Sequence, residues 1–402
     1  MDPLDNQVME YAWGSRTALA ELLGQPSPSD KPQAELWMGA HPLASSRIHR
    51  GGASASLADV IAAAPEAELG RAVVSRFGPR LPFLLKVLAA ETPLSLQAHP
   101  DLEQARVGFA ADEAAGLSLD APQRNYKDKS HKPELLCALG RFEALSGFRR
   151  ATETVRLLQA LHIAPLIPHT ERLTQQPNAG GLRELYASLV EIPRPGRSEV
   201  VAATLEACAR HRERSGEFSG ECQWILRIGA LYPGDIGVTL ALLLNLIELR
   251  PNEAIYLPSG NLHAYLSGIG VEIMANSDNV LRGGLTPKHV DSRELLRVLT
   301  FADGPVSPLS AENTGGPEHV YDTKAAEFRL SRIELGTFPR FRAERREGPE
   351  ILLCVRGVVD VRSAGGRSLT VVQGASIFIS GSDGPYEIVG SGTTFRATVG
   401  KL

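Results

Sequence analysis

Apolar and polar residues alternate along the end of the chain, between glycine-containing turns. The alternation runs through the segments ILLCVRGVVDVRS, SLTVVQGASIFIS and PYEIVGSGTTFRATVG. Because successive side chains of a strand point to opposite faces, this pattern predicts strands with one buried face. We therefore predict an antiparallel β-domain, a sandwich or a barrel, at residues 319–402.

A three- and four-residue spacing of apolar positions marks the middle of the chain. It runs through TETVRLLQAL, LRELYASLV, EVVAATLEACARHRER and GDIGVTLALLLNLIEL. This is the period of a helix with one apolar face, so we predict a helical domain at residues 151–249. The longest apolar run, VTLALLLNLIEL, is about half of the roughly 20 residues that a membrane span needs. It contains Asn245 and Glu248, and we interpret it as a buried helix.

Short strand candidates fill the rest of the chain. Before residue 151 they are RLPFLLKVLAA, PLSLQAH and HKPELLCAL, with short helices expected from residue 101 to about 130. Strand character returns after Arg250 in EAIYLPSGNLHAYLSGIGVEIMA. We predict a chain that is mainly β with a helical domain inserted, so that residues 1–150 and 250–318 form one discontinuous β-domain.

Composition and charge indicate which binding partners and which cellular compartment to expect. The 402 residues are enough for two or three domains, and the charges, 42 basic and 46 acidic residues, are scattered along the chain. This argues against nucleic acid or an anionic membrane as the main partner. The N-terminus carries acidic residues where a secretory signal has basic ones, and the four cysteines form no C-x-x-C pair. We expect a cytoplasmic, reduced protein.

Four residues in three motifs could bind a metal ion. Gln97 and His99 in PLSLQAHPD would share one face of a strand, although a hydrogen-bonding role is the more common explanation of a lone Q-x-H. Glu134 in SHKPELL lies within an apolar strand and needs a cation, a metal or a buried partner such as Lys132 or Arg282. His263 in LPSGNLHAY follows a Pro-Gly turn and points either into a barrel wall or to solvent.

Together these residues supply two nitrogens, one carboxylate and one amide oxygen, with no thiolate. That set suits zinc, manganese or iron(II) and leaves positions open for water or substrate. A divalent ion with one carboxylate ligand keeps a net positive charge, so such a site favours an anionic intermediate. The pattern indicates a catalytic site rather than a structural one.

A glycine-rich loop follows His263 in the chain. Glu272 lies in an apolar strand, and NSDNVLRGGLTPK presents Arg282 and Lys288. Guanidinium and ammonium groups near a metal suit a phosphorylated or enediolate ligand, although two solvated basic side chains are the simpler interpretation of the loop alone.

These stretches resemble type I mannose-6-phosphate isomerase (phosphomannose isomerase). The resemblance is carried by YAWGS, AELWMGAHP, LPFLLKVL, PLSLQAHPD, NYKDKSHKPE, YLPSGNLHAYL and GVEIMANSDNVLRGGLTPKHVD, in that order along the chain. It implies a cupin-type β-barrel (jelly roll) built from the residues on either side of the helical domain. A second β-domain follows at the C-terminus; because no histidine follows His319, we expect that domain to be metal-free.

The resemblance also implies roles for individual residues. One Zn²⁺ per chain would be held by Gln97, His99, Glu134 and His263. Arg282 matches the active-site arginine, and Ser95, Lys132, Glu272 and Lys288 match residues that line the same pocket.

The implied reaction is the interconversion of mannose 6-phosphate and fructose 6-phosphate, with a proton moving between C2 and C1 through an enediolate. Arg282 would stabilise the enediolate, and Lys288 and Ser95 would contact the phosphate. The base stays open between Glu272, Lys132 and His131. The ligand is a small sugar phosphate, and we expect a monomer.

Two other interpretations of the metal motifs remain. One is a cupin enzyme of different chemistry, either an isomerase of another sugar phosphate or an iron(II) dioxygenase, since two histidines and a carboxylate also suit iron. The other is a non-catalytic sugar-binding cupin, because a fold does not fix a function.

Overall fold

The computed structural model describes residues 1–213 and 216–401. Its strands are β1 Asp2–Asp5, β2 Gln7–Met9, β3 Glu35–Met38, β4 Ala40–His41, β5 Ala44–Ser45, β6 Arg47–Arg50, β7 Ala53–Ser56, β8 Phe83–Ala90, β9 Leu96–Ala98, β10 Glu134–Ala138, β11 Phe142–Phe148, β12 Leu244–Leu249, β13 Ala254–Leu257, β14 His263–Ala275, β15 Leu281–Gly284, β16 Glu312–Asn313, β17 Glu318–Tyr321, β18 Arg329–Leu335, β19 Arg340–Ala343, β20 Glu350–Ser363, β21 Ser368–Val372, β22 Ser376–Ile379 and β23 Tyr386–Thr398. Its helices are α1 Ala18–Leu22, α2 Leu57–Ala63, α3 Pro65–Leu69, α4 Arg71–Phe77, α5 Leu102–Ala114, α6 Ala151–Leu161, α7 Ile167–Gln175, α8 Ala179–Val190, α9 Arg194–Glu213, α10 Ser219–Leu231, α11 Gly237–Leu240 and α12 Ser292–Val298, with 3₁₀ turns at Ala164–Leu166 and Ala241–Leu243.

The prediction of a mainly β chain with helices in its middle is confirmed. One sheet has ten strands, with a path β12-β11-β14-β8-β3-β2 to which β9, β10, β13 and β15 are attached. The long strand β14 organises this sheet, because it pairs with β8, β10 and β11 and, at its first residue, with β9. The strands predicted in RLPFLLKVLAA, PLSLQAH and HKPELLCAL are β8, β9 and β10, and all of them surround β14.

The C-terminal strands form a second, eleven-stranded sheet, and the predicted antiparallel β-region there is confirmed. Its path is β16-β17-β18-β23-β20-β22-β1-β6-β7, with β19 and β21 attached. Strand β1 belongs to this sheet, because Asp2 to Leu4 pair with Phe378 to Ser376. The N-terminal segment thus ties the two β-regions together. The domain limits proposed from the sequence stay a prediction.

One predicted element is wrong. The run GDIGVTLALLLNLIEL is not one buried helix: α11 ends at Leu240, a 3₁₀ turn follows, and Leu244–Leu249 is strand β12. This strand pairs along β11, with Leu249 opposite Phe142 and Leu244 opposite Phe148. The sheet edge satisfies the backbone polar groups of the run, and this tertiary pairing overrides its helical spacing.

The residues from 101 to about 130 also differ from the expected series of short helices. They contain the single helix α5, which begins with a capping box between Asp101 and Gln104. Residues 115–133 then run without regular structure into β10.

The helices cover one edge of the ten-stranded sheet. Leu182 and Leu185 of α8 belong to the same apolar core as Leu96 of β9 and Leu281 of β15. The helical segment therefore braces the two short strands that carry Gln97 and Arg282. In the part of the chain that the structure describes, no helix is long and apolar enough to cross a membrane.

Candidate metal centre

Three of the predicted metal ligands come together at one end of the ten-stranded sheet. The Nε2 atom of His99 lies 3.2 Å, and that of His263 3.4 Å, from Oε2 of Glu134. One donor atom from each side chain lies within 4.8 Å of the others. The three residues are at most 4% exposed, so nearly all of their solvation must come from the site itself.

The hydrogen bonds of the two imidazoles fix which nitrogen faces the carboxylate. His99 Nδ1 lies 2.8 Å from the carbonyl oxygen of Asn279, and His263 Nδ1 lies 3.0 Å from that of Asn261. A carbonyl can only accept, so both Nδ1 atoms carry the proton in the neutral rings. Both Nε2 lone pairs then face the Glu134 carboxylate, and Nε2 of His99 is buried without a hydrogen-bond partner.

Such a cluster of acceptors fits a bound cation. The backbone bonds of the two rings are the second-layer contacts that typically orient metal-ligating histidines. Burial lowers the pKa of His99 to about 4, which keeps the ring in its neutral, ligating form. Burial acts to raise the pKa of Glu134, but His99 and Lys132 outweigh it and hold that pKa well below its ordinary range. The residues present therefore fit a divalent metal.

Gln97 lies beside these three residues. Its strand position pairs with both His263 and Arg282, and its side chain lines the same cavity as Glu134 and His263. The amide nitrogen of Gln97 donates to Oγ of Ser95 at 3.3 Å. The atom that Gln97 would offer to a metal is therefore its amide oxygen, and Ser95 orients that amide.

Lys132 is both a neighbour of the centre and the ionic partner that the sequence offered as an alternative for Glu134. Its Nζ lies 3.1 Å from Oε1 of Glu134, and the lysine is buried. The other carboxylate oxygen faces the two histidines. The metal and ion-pair interpretations of Glu134 are thus compatible, because each uses a different oxygen.

A second buried charged cluster forms the wall of the same cavity. Nζ of Lys86 lies 3.1 Å from Oε2 of Glu272 and 3.6 Å from Oε1 of Glu35. The hydroxyl of Tyr265 donates to the other oxygen of Glu272 at 2.8 Å. Burial raises the pKa of Glu272, with Lys86 opposing it and the Glu134 and Glu35 carboxylates reinforcing it.

Sequence reasoning missed Lys86 and Glu35. The signal was present, because a lysine inside FLLKVLAA is a charge in a buried strand, as Glu134 is in its own strand. The pairing of β14 with β8 then sets Glu272 opposite Lys86.

The remaining predicted residues lie at different distances from this cavity. Arg282 is half-buried on β15, in register with Gln97, and burial lowers the pKa of its guanidinium. Lys288 is exposed and lines a separate cavity of about 520 Å³ together with Asp235. His131 lies 2.7 Å from the Glu327 carboxylate, in the segment between β17 and β18, and does not line the metal cavity.

Comparison with known proteins places this site in a family. Residues 1–151 match the model of the type I phosphomannose isomerase catalytic domain. The chain is 42% identical to mannose-6-phosphate isomerase of Escherichia coli strain K12 over an alignment of 398 residues. That alignment covers 98% of this chain and 99% of the Escherichia coli protein. The chain is 33% identical to the human mannose-6-phosphate isomerase, over 89% of this chain and 88% of that protein.

Solved structures agree over the whole length. A zinc-bound mannose 6-phosphate isomerase superimposes with a TM-score of 0.90 at 40% identity, covering 100% of this chain and 99% of that one. A single-residue variant of phosphomannose isomerase from Salmonella typhimurium also gives a TM-score of 0.90, at 39% identity and with 100% of both chains covered. The chain belongs to the type I mannose-6-phosphate isomerase family.

Proposed function

We propose that this chain is a zinc-dependent aldose–ketose isomerase that interconverts D-mannose 6-phosphate and D-fructose 6-phosphate through an enediolate. The observation that carries the proposal is the buried cluster in which two Nε2 lone pairs face one carboxylate. Without a cation, that cluster leaves Nε2 of His99 as a buried acceptor with no partner. The size and charge of the cluster suit one small divalent ion.

The proposed ligands are Gln97, His99, Glu134 and His263, with one zinc ion per chain. The donor set of nitrogens and oxygens suits zinc, and a related isomerase of the same fold is described as zinc-bound. A bound zinc ion would act as a Lewis acid toward the carbonyl and hydroxyl oxygens of the open-chain sugar. Lys132 adds a positive charge beside the centre, which further favours an anionic intermediate.

Glu272 is our candidate for the base that moves the proton between C2 and C1. It lines the metal cavity, and burial raises its pKa toward the range in which a carboxylate accepts a proton effectively. Lys132 also lines the cavity, where its ammonium pairs with Glu134, and it is the alternative base. His131 is engaged by Glu327, outside the cavity.

Arg282 is our candidate for stabilising the enediolate. Within residues 1–213 and 216–401, no carboxylate lies within ion-pair distance of its guanidinium, which is therefore available to a substrate anion. Ser95, next to Gln97, and Lys288, on the loop after β15, remain the candidates for contacting the phosphate.

The assignment of the base is tested by isotope exchange. In deuterated water, wild-type enzyme with mannose 6-phosphate should exchange the C2 proton or pass it to C1, as followed by NMR. Glu272→Gln should abolish both while zinc stays bound, since Gln cannot accept the proton. Persistent exchange in Glu272→Gln would move the role to Lys132.

We further propose that the enzyme works as a monomer in the cytoplasm. The four cysteines are buried free thiols, which suits a reducing compartment. Sedimentation at micromolar concentration should give the mass of one chain.

A further inference from the structure

Two loops border the candidate metal centre and contain polar residues that the proposed reaction does not use. The loop 127–130 leads to Lys132 and Glu134, and the loop 277–279 leads to Arg282. Asn279 is fully buried and Ser277 is 1% exposed. Burying such polar side chains is costly unless their polar atoms find partners.

The side-chain amide of Asn279 is bonded on both ends to the loop 127–130. Its Nδ2 donates to the carbonyl oxygens of Asp128 and Ser130, each at 2.8 Å. Its Oδ1 accepts from the backbone N–H groups of Lys127, at 2.7 Å, and Asp128, at 3.2 Å. One buried amide thus satisfies four backbone groups of the neighbouring loop.

The carboxylate of Asp128 makes the reciprocal connection. It accepts from the backbone N–H of Asp278 at 2.8 Å and from the hydroxyl of Ser277 at 2.9 and 3.0 Å. It also accepts from the N–H of Ser130 in its own loop, at 2.8 Å. Hydrogen bonds to an ionised acceptor are stronger than neutral ones. Asp128 and Asn279 therefore lock the two loops together, and we call this pair the loop clamp.

The loop clamp is connected directly to one of the metal ligands. The backbone carbonyl of Asn279 is the acceptor for Nδ1 of His99, at 2.8 Å, across 180 residues of sequence. The equivalent acceptor for His263 is Asn261, only two residues away. The orientation of His263 is therefore set locally, whereas that of His99 depends on where the clamp holds residue 279.

We propose that Asp128 and Asn279 are positioning residues for zinc. They fix the carbonyl that holds the proton of His99 on Nδ1, and thereby keep Nε2 aimed at Glu134 and available to the metal. The inference rests on the metal site of the proposed function and adds these two residues to it. Neither is placed to touch the metal, so their effect is exerted through His99.

The test compares zinc affinities of stripped proteins by competition with a chromophoric chelator at neutral pH. Asp128→Asn keeps the shape of the side chain but turns an N–H₂ group toward the backbone donors. Asn279→Ala removes the amide. We expect each variant to bind zinc up to about 10- to 100-fold more weakly than wild type, because releasing the carbonyl of residue 279 weakens the outer contact of His99, and complete loss of such a contact has that cost.

Asp383→Asn is the matched control. Asp383 also accepts from a backbone N–H and a serine hydroxyl, both of Ser380, at 2.9 and 3.1 Å, but it lies in the C-terminal sheet region and additionally pairs with the N-terminal ammonium at 2.7 Å. It should lose stability and keep wild-type zinc affinity. A second readout is the ¹⁵N NMR spectrum of the metal-free proteins. His99 should be the Nδ1–H tautomer in wild type and in Asp383→Asn. In Asp128→Asn it should be a mixture of the Nδ1–H and Nε2–H tautomers.

Zinc affinities of Asp128→Asn and Asn279→Ala within about twofold of wild type, in folded protein, would overturn the proposal and leave the clamp a purely structural device. Should Asn279→Ala not fold, Asp128→Asn alone decides. A wild-type protein that binds zinc but does not convert mannose 6-phosphate would end the proposed reaction, while the clamp would still be judged on these affinities.

Discussion

Lys86 holds a buried positive charge between two buried carboxylates, and removing it should be among the most destabilising single changes in the chain. Lys86, Glu35 and Glu272 are 6%, 7% and 2% exposed. The ammonium of Lys86 lies 3.1 Å from the carboxylate of Glu272 and 3.6 Å from that of Glu35. Lys86→Met keeps most of the volume but leaves both carboxylates without a counter-charge. Breaking a buried pair in this way costs about 3–5 kcal/mol of unfolding free energy.

The loss of unfolding free energy in Lys86→Met should grow as pH rises. Burial already raises the pKa of Glu272 above 4.5, and Lys86 opposes that rise more strongly than Lys132 does. Without Lys86 the pKa of folded Glu272 rises further, so folded protein holds a proton that unfolded protein has lost. Stability then falls as pH rises from the unfolded pKa to the folded one. The difference between wild type and variant should be small near pH 4.5 and full near neutrality.

Urea unfolding of stripped protein, followed by circular dichroism across that pH range, measures this difference. Lys31→Met is the control, because Lys31 also pairs with a glutamate, Glu10 at 2.8 Å, but at an exposed site, and should change stability little. The double variant Lys86→Met/Glu272→Gln should recover part of the loss. A cost below about 1 kcal/mol at neutral pH, or one independent of pH, would refute the reasoning.

Two further changes separate catalysis from stability. Arg282→Gln should lower kcat about 100- to 1,000-fold and leave zinc affinity unchanged, as measured by coupled assay and chelator competition; unaltered kcat would remove Arg282 from the reaction. Glu350→Gln should cost about 3–5 kcal/mol at neutral pH, because it removes the buried carboxylate that Arg396 and Arg346 contact at 2.7 and 3.0 Å and leaves Arg396 with Glu318 alone. Burial acts to raise the pKa of Glu350, but the two arginines hold it below 4.5, so this stability is present above that pH and is lost as pH falls through the folded pKa. Acid urea titrations that show no such loss, or altered zinc affinity in Glu350→Gln, would contradict this account.

The proposed metal ligands could be selected from the sequence because each is a polar residue in or beside an apolar segment. A glutamate followed by two leucines at Glu134, and histidines in or beside apolar strands at His99 and His263, each require a partner that the chain supplies only by folding. The order of the motifs along the chain then identified the family. Short apolar runs between turn residues likewise predicted β8 and β10, and the alternation of apolar and polar positions predicted the C-terminal sheet.

The parts that the sequence did not predict depend on pairing between distant segments. Leu244–Leu249 forms a strand only because β11 offers an edge, and Asp2–Asp5 joins the C-terminal sheet only because β22 lies beside it. The ionic partner of Lys86 is known only from the pairing of β14 with β8, which sets Glu272 opposite Lys86. The connection from Asn279 to His99 spans a separation that no local pattern encodes.

The most direct test of the account is a zinc titration of the stripped enzyme, with mannose 6-phosphate turnover measured at each addition. Activity should rise in proportion to added zinc and stop rising at one equivalent per chain, and Glu134→Gln should bind no zinc at that concentration and remain inactive. Turnover that survives complete removal of metal, or a zinc-loaded wild-type protein that does not form fructose 6-phosphate, would contradict the central claim.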